Sequence, residues 1–316
     1  MKTIEIGQTG VVLPELGFGT SGLGDMPDTY GYSVGEDRAL ETVRAIFAGP
    51  APLIDSSRNY GAGRSEARVG AVIRAHGMPE GFTLSTKLDR DMETGRFDGA
   101  RAWSSLEESC DALGVDQIPL MFLHDPEYAR DLAEVDGAIE ALFEMKEKGR
   151  VRAVGLAMGR LDIMEPMLAR FPFDALISHN RYTLLNRSAA GMFADAKARG
   201  IAVINAAPFA GGVLAKGADV MPRVTYQAAS DEKLAPVRAI EALCAEHGVP
   251  TGPVALQFSM RSDLVDCTLL GVTKPERVQQ ALDWAAWDVP QALWDAIDAL
   301  PFEDRDPEAD RIYKPT

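Results

Sequence analysis

Cysteine and histidine are both scarce in this chain of 316 residues, and that scarcity removes several kinds of chemistry at once. The three cysteines, Cys110, Cys244 and Cys267, are odd in number, far apart and without a CxxC pair. That excludes a disulfide framework and a zinc-binding cysteine cluster, and it predicts small buried thiols in a reducing cytoplasm. Four histidines, His76, His124, His179 and His247, are too few and too dispersed to suggest a three-histidine metal site, so no metal is expected. Nowhere do 18 apolar residues run together, so no helix is expected to span a bilayer. The opening MKTIEIGQTG lacks the basic-then-apolar pattern of a secretory signal. Positive charge is short as well: 32 Lys and Arg against 47 Asp and Glu leave a net charge of −15, which repels nucleic acids and anionic membranes. There is no linker and no low-complexity tract.

What is present is an ordinary soluble composition, 46% apolar and 25% charged, arranged with a regular rhythm. Eight short apolar runs read as strands: residues 15–20, 52–57, 82–88, 119–125, 151–158, 174–180, 201–207 and 267–272. They are continuous rather than alternating, as parallel strands covered by helices require. Amphipathic stretches separate them, among them EDRALETVRAIFAG and DGARAWSSLEESCDALG, and several of these close on glycine after an apolar stripe. Eight strand–helix units in one uninterrupted chain predict an α/β fold of the (β/α)8 barrel type, with residues 1–316 as a single domain. Two segments lie outside the count. Residues 2–16 read as a hairpin capping the barrel floor, and VPQALWDAIDAL reads as an extra C-terminal helix before a polar tail. Residues 208–231 form a long connection suited to covering a site.

In such barrels the working groups lie at the C-terminal strand ends. The second strand ends in Asp55 with Tyr60 just beyond, the third delivers Lys87 and the fourth His124. A tyrosine hydroxyl titrates near pH 10, too high for easy proton exchange at neutral pH, and a nearby ammonium would lower it. Asp55 would keep Lys87 charged and aimed, and His124 would hydrogen-bond a substrate oxygen. The set suits proton transfer at a hydroxyl or carbonyl oxygen. It contains no activated serine or cysteine nucleophile. The GAGRSE stretch after Tyr60 is expected to begin a helix capped by nearby polar groups, and Arg58 to touch substrate or neutralise a carboxylate at the rim.

IDSSRNYGAGRSE, LSTKL, LMFLHDP, VRAVGL, HNRYTLLNR and APFAGGVL, in that order and spacing, resemble the aldo-keto reductase family over essentially the whole chain. The resemblance implies a catalytic tetrad of Asp55, Tyr60, Lys87 and His124 and an extended nicotinamide cofactor, NADP or NAD, held without a metal. It implies cofactor contacts from Asn180, Arg181 and Pro208 at the nicotinamide end. At the adenosine end it implies Gly271, Lys274 and Arg277, with Gly271 standing where a lysine is common. NRYTLLNR and VPQALWDAI look most like the family's aldose 1-dehydrogenase branch, which oxidises a sugar at C1 to a lactone. Two other readings share the same barrel. One is an NADPH-dependent aldehyde or ketone reductase, including pyridoxal-type substrates. The other is a cofactor-binding regulatory subunit. The expected partner is a small carbonyl or sugar molecule, with no nucleic acid and no membrane; the sequence carries no signal for an oligomeric state.

Overall fold

Apolar runs bounded by glycine, proline or charged turns become strands here because both of their faces can be buried. The computed structural model describes residues 1–309, so the last part of the polar tail, 310–316, lies outside the described residues. The chain opens with β1 (Thr3–Glu5) and β2 (Val12–Pro14), an antiparallel hairpin with Ile4 opposite Leu13. β3 (Leu16–Gly19), α1 (Pro27–Tyr30) and α2 (Glu36–Ala48) follow. Strands and helices then alternate: β4 (Leu53–Asp55), α3 (Arg64–His76), β5 (Thr83–Leu88), α4 (Gly99–Leu113), β6 (Ile118–His124) and α5 (Leu132–Glu147). The rhythm continues through β7 (Val151–Ala157), α6 (Leu161–Arg170), β8 (Ala175–His179), α7 (Ala190–Ala198) and β9 (Ala202–Ala206). The long connection carries α8 (Val213–Lys216) and a small hairpin of β10 (Arg223–Val224) and β11 (Gln227–Ala228). Helices α9 (Asp231–Glu246) and α10 (Thr251–Met260) lead into β12 (Cys267–Gly271), and α11 (Pro275–Ala285) and α12 (Gln291–Asp298) complete the helical layer.

β3 to β9 and β12 form a closed parallel barrel, with β12 pairing both β9 and β3. Each of the eight strands expected from the sequence is one of its staves. The hairpin and the C-terminal helix are also where the pattern put them. The rhythm did not resolve α9 and α10, two consecutive helices before the last strand.

Because strand side chains alternate, the staves build two cores, one outside and one inside the barrel. Phe18, Ile54, Leu84, Met121, Val154 and Leu176 point outward under the helices. Leu53, Leu120, Phe122, Ile177, Ile204 and Leu269 fill the barrel, and Ile6, Val11 and Leu13 of the hairpin plug it from below. The interior is too narrow for a large side chain from every strand. Gly155 supplies the gap: a Cβ there would lie 2.3 Å from the Phe122 ring and 2.7 Å from the Ala175 carbonyl oxygen.

The helix ends follow local chemistry. Asp98 caps α4 by accepting from the Arg101 backbone N–H, and Gly114 ends it in the left-handed region at φ 74°. Asp131 caps α5 in the same way. α3 departs from the expected side-chain cap: it starts at Gly63, φ 88°, with no such bond. The reason is Arg58, whose guanidinium occupies the position; a Cβ on residue 63 would lie 1.6 Å from its Nη1. Arg58 reaches Glu108 at 3.2 Å and Glu66 at 3.8 Å, so it brackets the loop against α3 and α4.

Gly155→Ala should overpack the barrel and destabilise the protein by about 1–3 kcal/mol, read as a lowered midpoint in urea unfolding.

Candidate active site

The same alternation that fills the barrel builds its mouth. A cavity of about 720 Å³ opens at the C-terminal strand ends. Its floor is formed by Gly19, Asp55, Lys87, His124, Ala157 and His179, with Ala206, Leu269 and Gly271 completing the ring. Its roof comes from the long connection, through Phe209, Lys216 and Tyr226, facing Tyr30 and Tyr32 from the first strand's loop. The roof rings touch, with Tyr30 6.1 Å from Tyr32 and 6.0 Å from Tyr226 between centroids. Tyr226 and its neighbour Thr225 are held at φ 64° and 50°, a conformation disfavoured for β-branched and aromatic residues. The hairpin turn is strained there, and Tyr226 lines the cavity.

Below the mouth, Lys87 Nζ lies 2.6 Å from Asp55 Oδ2 and 2.5 Å from the Ser56 carbonyl oxygen, while Ser85 donates to the other carboxylate oxygen at 2.7 Å. Both charged side chains are almost wholly buried, 2% and 3% exposed, so the pair holds only because each charge neutralises the other. The ammonium stands 4.7 Å from the centre of the Tyr60 ring. The sequence led to the expectation that Lys87 depresses the Tyr60 pKa, and the structure differs. Burial, and next the Asp55 charge, push the phenol well above its usual value of 10. Lys87 faces the ring and its charge is already matched by Asp55, so burial prevails over the ammonium.

His124 meets the Tyr60 ring edge-on at 5.7 Å. Its Nδ1 lies 2.6 Å from Asp89 Oδ1 and its Nε2 3.6 Å from Asp125 Oδ2. Burial alone would lower its pKa, but Asp125 and Asp89 more than offset this and raise it above 6.5. Asp89 is itself buried; burial opposes its ionisation, yet His124 and the Ser57 and Asn59 hydrogen bonds bring its pKa below 3.8.

Asp55, Tyr60, Lys87 and His124 therefore converge, and Gly271, Lys274 and Arg277 line the far end of the same cavity. Lys216 joins those two cations there; burial first, then Arg277 and Lys274, lower its pKa. Asn180, Arg181 and Pro208 are not among the lining residues. Asn180 is one step out of phase with the inward parity and turns the chain at φ 60°. Its Nδ2 lies 3.2 Å from His179 Nδ1, and its Oδ1 is buried with no hydrogen-bond partner among the described residues. Arg181 is fully buried and faces the C-terminal segment, bonding Asp306 at 2.7 Å and Glu308 at 3.1 Å. Asp89, Asp125, His179 and Lys216 were passed over as site residues. Parity could have found two of them: Asp89 continues the inward series of Ser85 and Lys87, and His179 follows Ile177. Among the described residues no three His, Cys, Asp or Glu side chains group to hold a metal ion, and no helix is long and apolar enough to cross a membrane.

A tyrosine backed by a buried Lys–Asp pair, with a histidine alongside, at a barrel mouth defines a site for proton transfer at a carbonyl or hydroxyl oxygen. Residues 15–301 match the model of the Aldo/keto reductase family, and the chain belongs to that family of oxidoreductases. It is 30% identical to a D-threo-aldose 1-dehydrogenase of Pseudomonas sp. over 312 residues, covering 90% of this chain and 93% of the relative. It is 29% identical to an L-galactose dehydrogenase of Arabidopsis thaliana over 279 residues, 87% of this chain and 85% of the relative. In fold it resembles an aldo-keto reductase from Bacillus halodurans in its holo form, with a TM-score of 0.79 at 21% identity, covering 99% of this chain and 100% of that one.

Lys87→Met strands a buried carboxylate and should cost about 3–5 kcal/mol in chemical denaturation, whereas adding Asp55→Leu should restore most of that loss.

Proposed function

We propose that this protein is an NAD(P)-dependent aldose 1-dehydrogenase, oxidising a cyclic sugar at C1 to the lactone. The observation that carries the reading is the catalytic end of the cavity, where Tyr60 and His124 are flanked by Asn59, Asp125 and His179. A polyol loses about 1–3 kcal/mol for each buried polar group left unpaired, so a sugar site needs such hydrogen-bonding side chains around the reacting oxygen. The likeness to dehydrogenases of D-threo-aldoses and L-galactose supports the same direction.

The nicotinamide cofactor, when bound, supplies the hydride acceptor or donor. The residues present fit its anionic end: Lys216, Lys274 and Arg277 gather at one end of the cavity, a cluster whose mutual repulsion an anion relieves. Arg277 can take a phosphate bidentately. Asp55 and Lys87 hold Tyr60 at the mouth, and Tyr60 exchanges a proton with the substrate oxygen while His124 positions that oxygen. The buried, unpaired cysteines fit a cytoplasmic setting.

The roof favours a second reading. Three tyrosines over the mouth, and a Tyr60 held protonated, suit reduction of an aldehyde with NADPH. A non-catalytic cofactor-binding role leaves the assembled tetrad without a task.

Purified protein screened with NAD⁺ and NADP⁺ against sugars, pyridoxal and simple alcohols should oxidise a sugar, followed by absorbance of the reduced cofactor. Aldehyde reduction with NADPH and no sugar oxidation would establish the second reading instead. Tyr60→Phe should lower kcat by at least about 100-fold while the cofactor still quenches Trp284, which lines the cavity. Arg277→Ala should weaken NADP⁺ binding about tenfold or more, and NAD⁺ less.

A further inference from the structure

We propose that Asp89 is a positioning residue which, with Ser57, pins a proton on Nδ1 of His124, so that Nε2 can donate to a substrate oxygen only when the ring is cationic. The inference rests on the oxidoreductase reading above and deepens it.

The argument is a count of protons. Ser57 has one hydroxyl hydrogen, and Asp89 Oδ2 lies 2.7 Å from its Oγ. An ionised carboxylate only accepts, so that hydrogen points at Asp89. The Asn59 backbone N–H donates to the same carboxylate oxygen at 2.9 Å and to Ser57 Oγ at 3.1 Å. Ser57 therefore offers Nδ1 of His124 only a lone pair, at 3.1 Å, and Asp89 Oδ1 offers another at 2.6 Å. Two acceptors and no donor face Nδ1. That nitrogen carries its hydrogen whether the ring is neutral or charged.

Nε2 is then bare in the neutral ring and protonated in the cation. The titratable groups around the ring are Asp89 beyond β5, Asp125 beyond β6, Lys87 on β5, Tyr60 on the β4 loop and His179 at the end of β8. The two carboxylates favour the cation, while burial and Lys87 oppose it.

The two reaction directions thereby call on different states of one side chain. A carbonyl oxygen needs a donor and is met by the cation. Its carbon receives a hydride with its electron pair from the reduced nicotinamide, its oxygen receives the Tyr60 proton, and His124 keeps both of its own. A hydroxyl can donate to the neutral ring's Nε2 before giving its proton to the Tyr60 phenolate, as its carbon gives up a hydride to the oxidised nicotinamide. Carbonyl reduction is then full below the imidazolium pKa and is lost as pH rises through it. Removing the Asp89 charge destabilises the cation, so that limb moves down.

Asp89→Asn keeps the size and an acceptor oxygen. Its kcat/KM limb for reduction should fall by about one pH unit or more, with reduction near neutrality down about tenfold and oxidation at alkaline pH down much less. An unmoved limb, or equal losses in both directions, overturns the proposal. A second readout needs neither turnover nor the variant. Long-range ¹⁵N imidazole spectra of the wild-type protein above the limb, with the His124 signal identified by its loss in His124→Asn, should show hydrogen on Nδ1. A neutral Nε2–H ring overturns the proposal even if Asp89→Asn fails to fold. Absence of turnover in the wild-type protein with either nucleotide counts against the oxidoreductase reading, and the spectra still decide the proton's place.

Discussion

A lysine ammonium and an aspartate carboxylate, 2.6 Å apart and almost sealed from water, stand at the top of a largely apolar barrel interior. Neither ion is tolerable there alone, and each fixes the other. That mutual dependence fixes the rest of the mouth. The Ser56 carbonyl oxygen accepts from Lys87, which ties down the first residue of the loop carrying Tyr60. Ser85 satisfies the remaining carboxylate oxygen. The loop's next residues, Ser57 and Asn59, reach Asp89 and thereby His124. Asp55, Lys87 and His124, from three strands, are in this way joined by hydrogen bonds through the loop that carries Tyr60.

Much of this was legible from the sequence, and the reason is geometric. Strand ends in a closed barrel converge, so finding Asp55, Lys87 and His124 at the ends of apolar runs was enough to place them together. The eight runs were equally legible because parallel strands buried on both faces leave continuous apolar stretches. What failed to show was anything decided by phase or by a turn. Asn180 and Arg181 follow directly after a strand, but the left-handed kink at Asn180 breaks the alternation and sends Arg181 to Asp306 and Glu308. Those carboxylates lie more than a hundred residues away in sequence, and no local pattern announces them.

Electrostatics was the least legible level. A lysine near a tyrosine suggests a softened phenol, yet the sign of the shift depends on where the ammonium points and what already neutralises it. Here it faces the ring and is matched by Asp55, and burial prevails. Arg58 makes a similar point. The sequence leaves it between substrate and a carboxylate at the rim; in the fold it meets the carboxylates of Glu66 and Glu108, and the glycine at 63 leaves room for it.

The hairpin plug under the barrel has a consequence for proton traffic. Beneath Lys87 the inward side chains of the same strand are Ser85 and then Thr83, whose hydroxyl donates to the Val12 carbonyl oxygen of the hairpin, set among the apolar packing of Leu53, Leu120 and Phe122 and closed below by Ile6, Val11 and Leu13. Among the described residues no hydrogen bond joins Ser85 to Thr83, so no continuous hydrogen-bonded chain runs from the active site to the floor. A proton gained or lost by Tyr60 must therefore enter or leave through the upper opening, under the tyrosine roof. Exchange with bulk water is thereby coupled to the arrival and departure of whatever fills the cavity, and the dry barrel acts as insulation that keeps each proton with its own turnover.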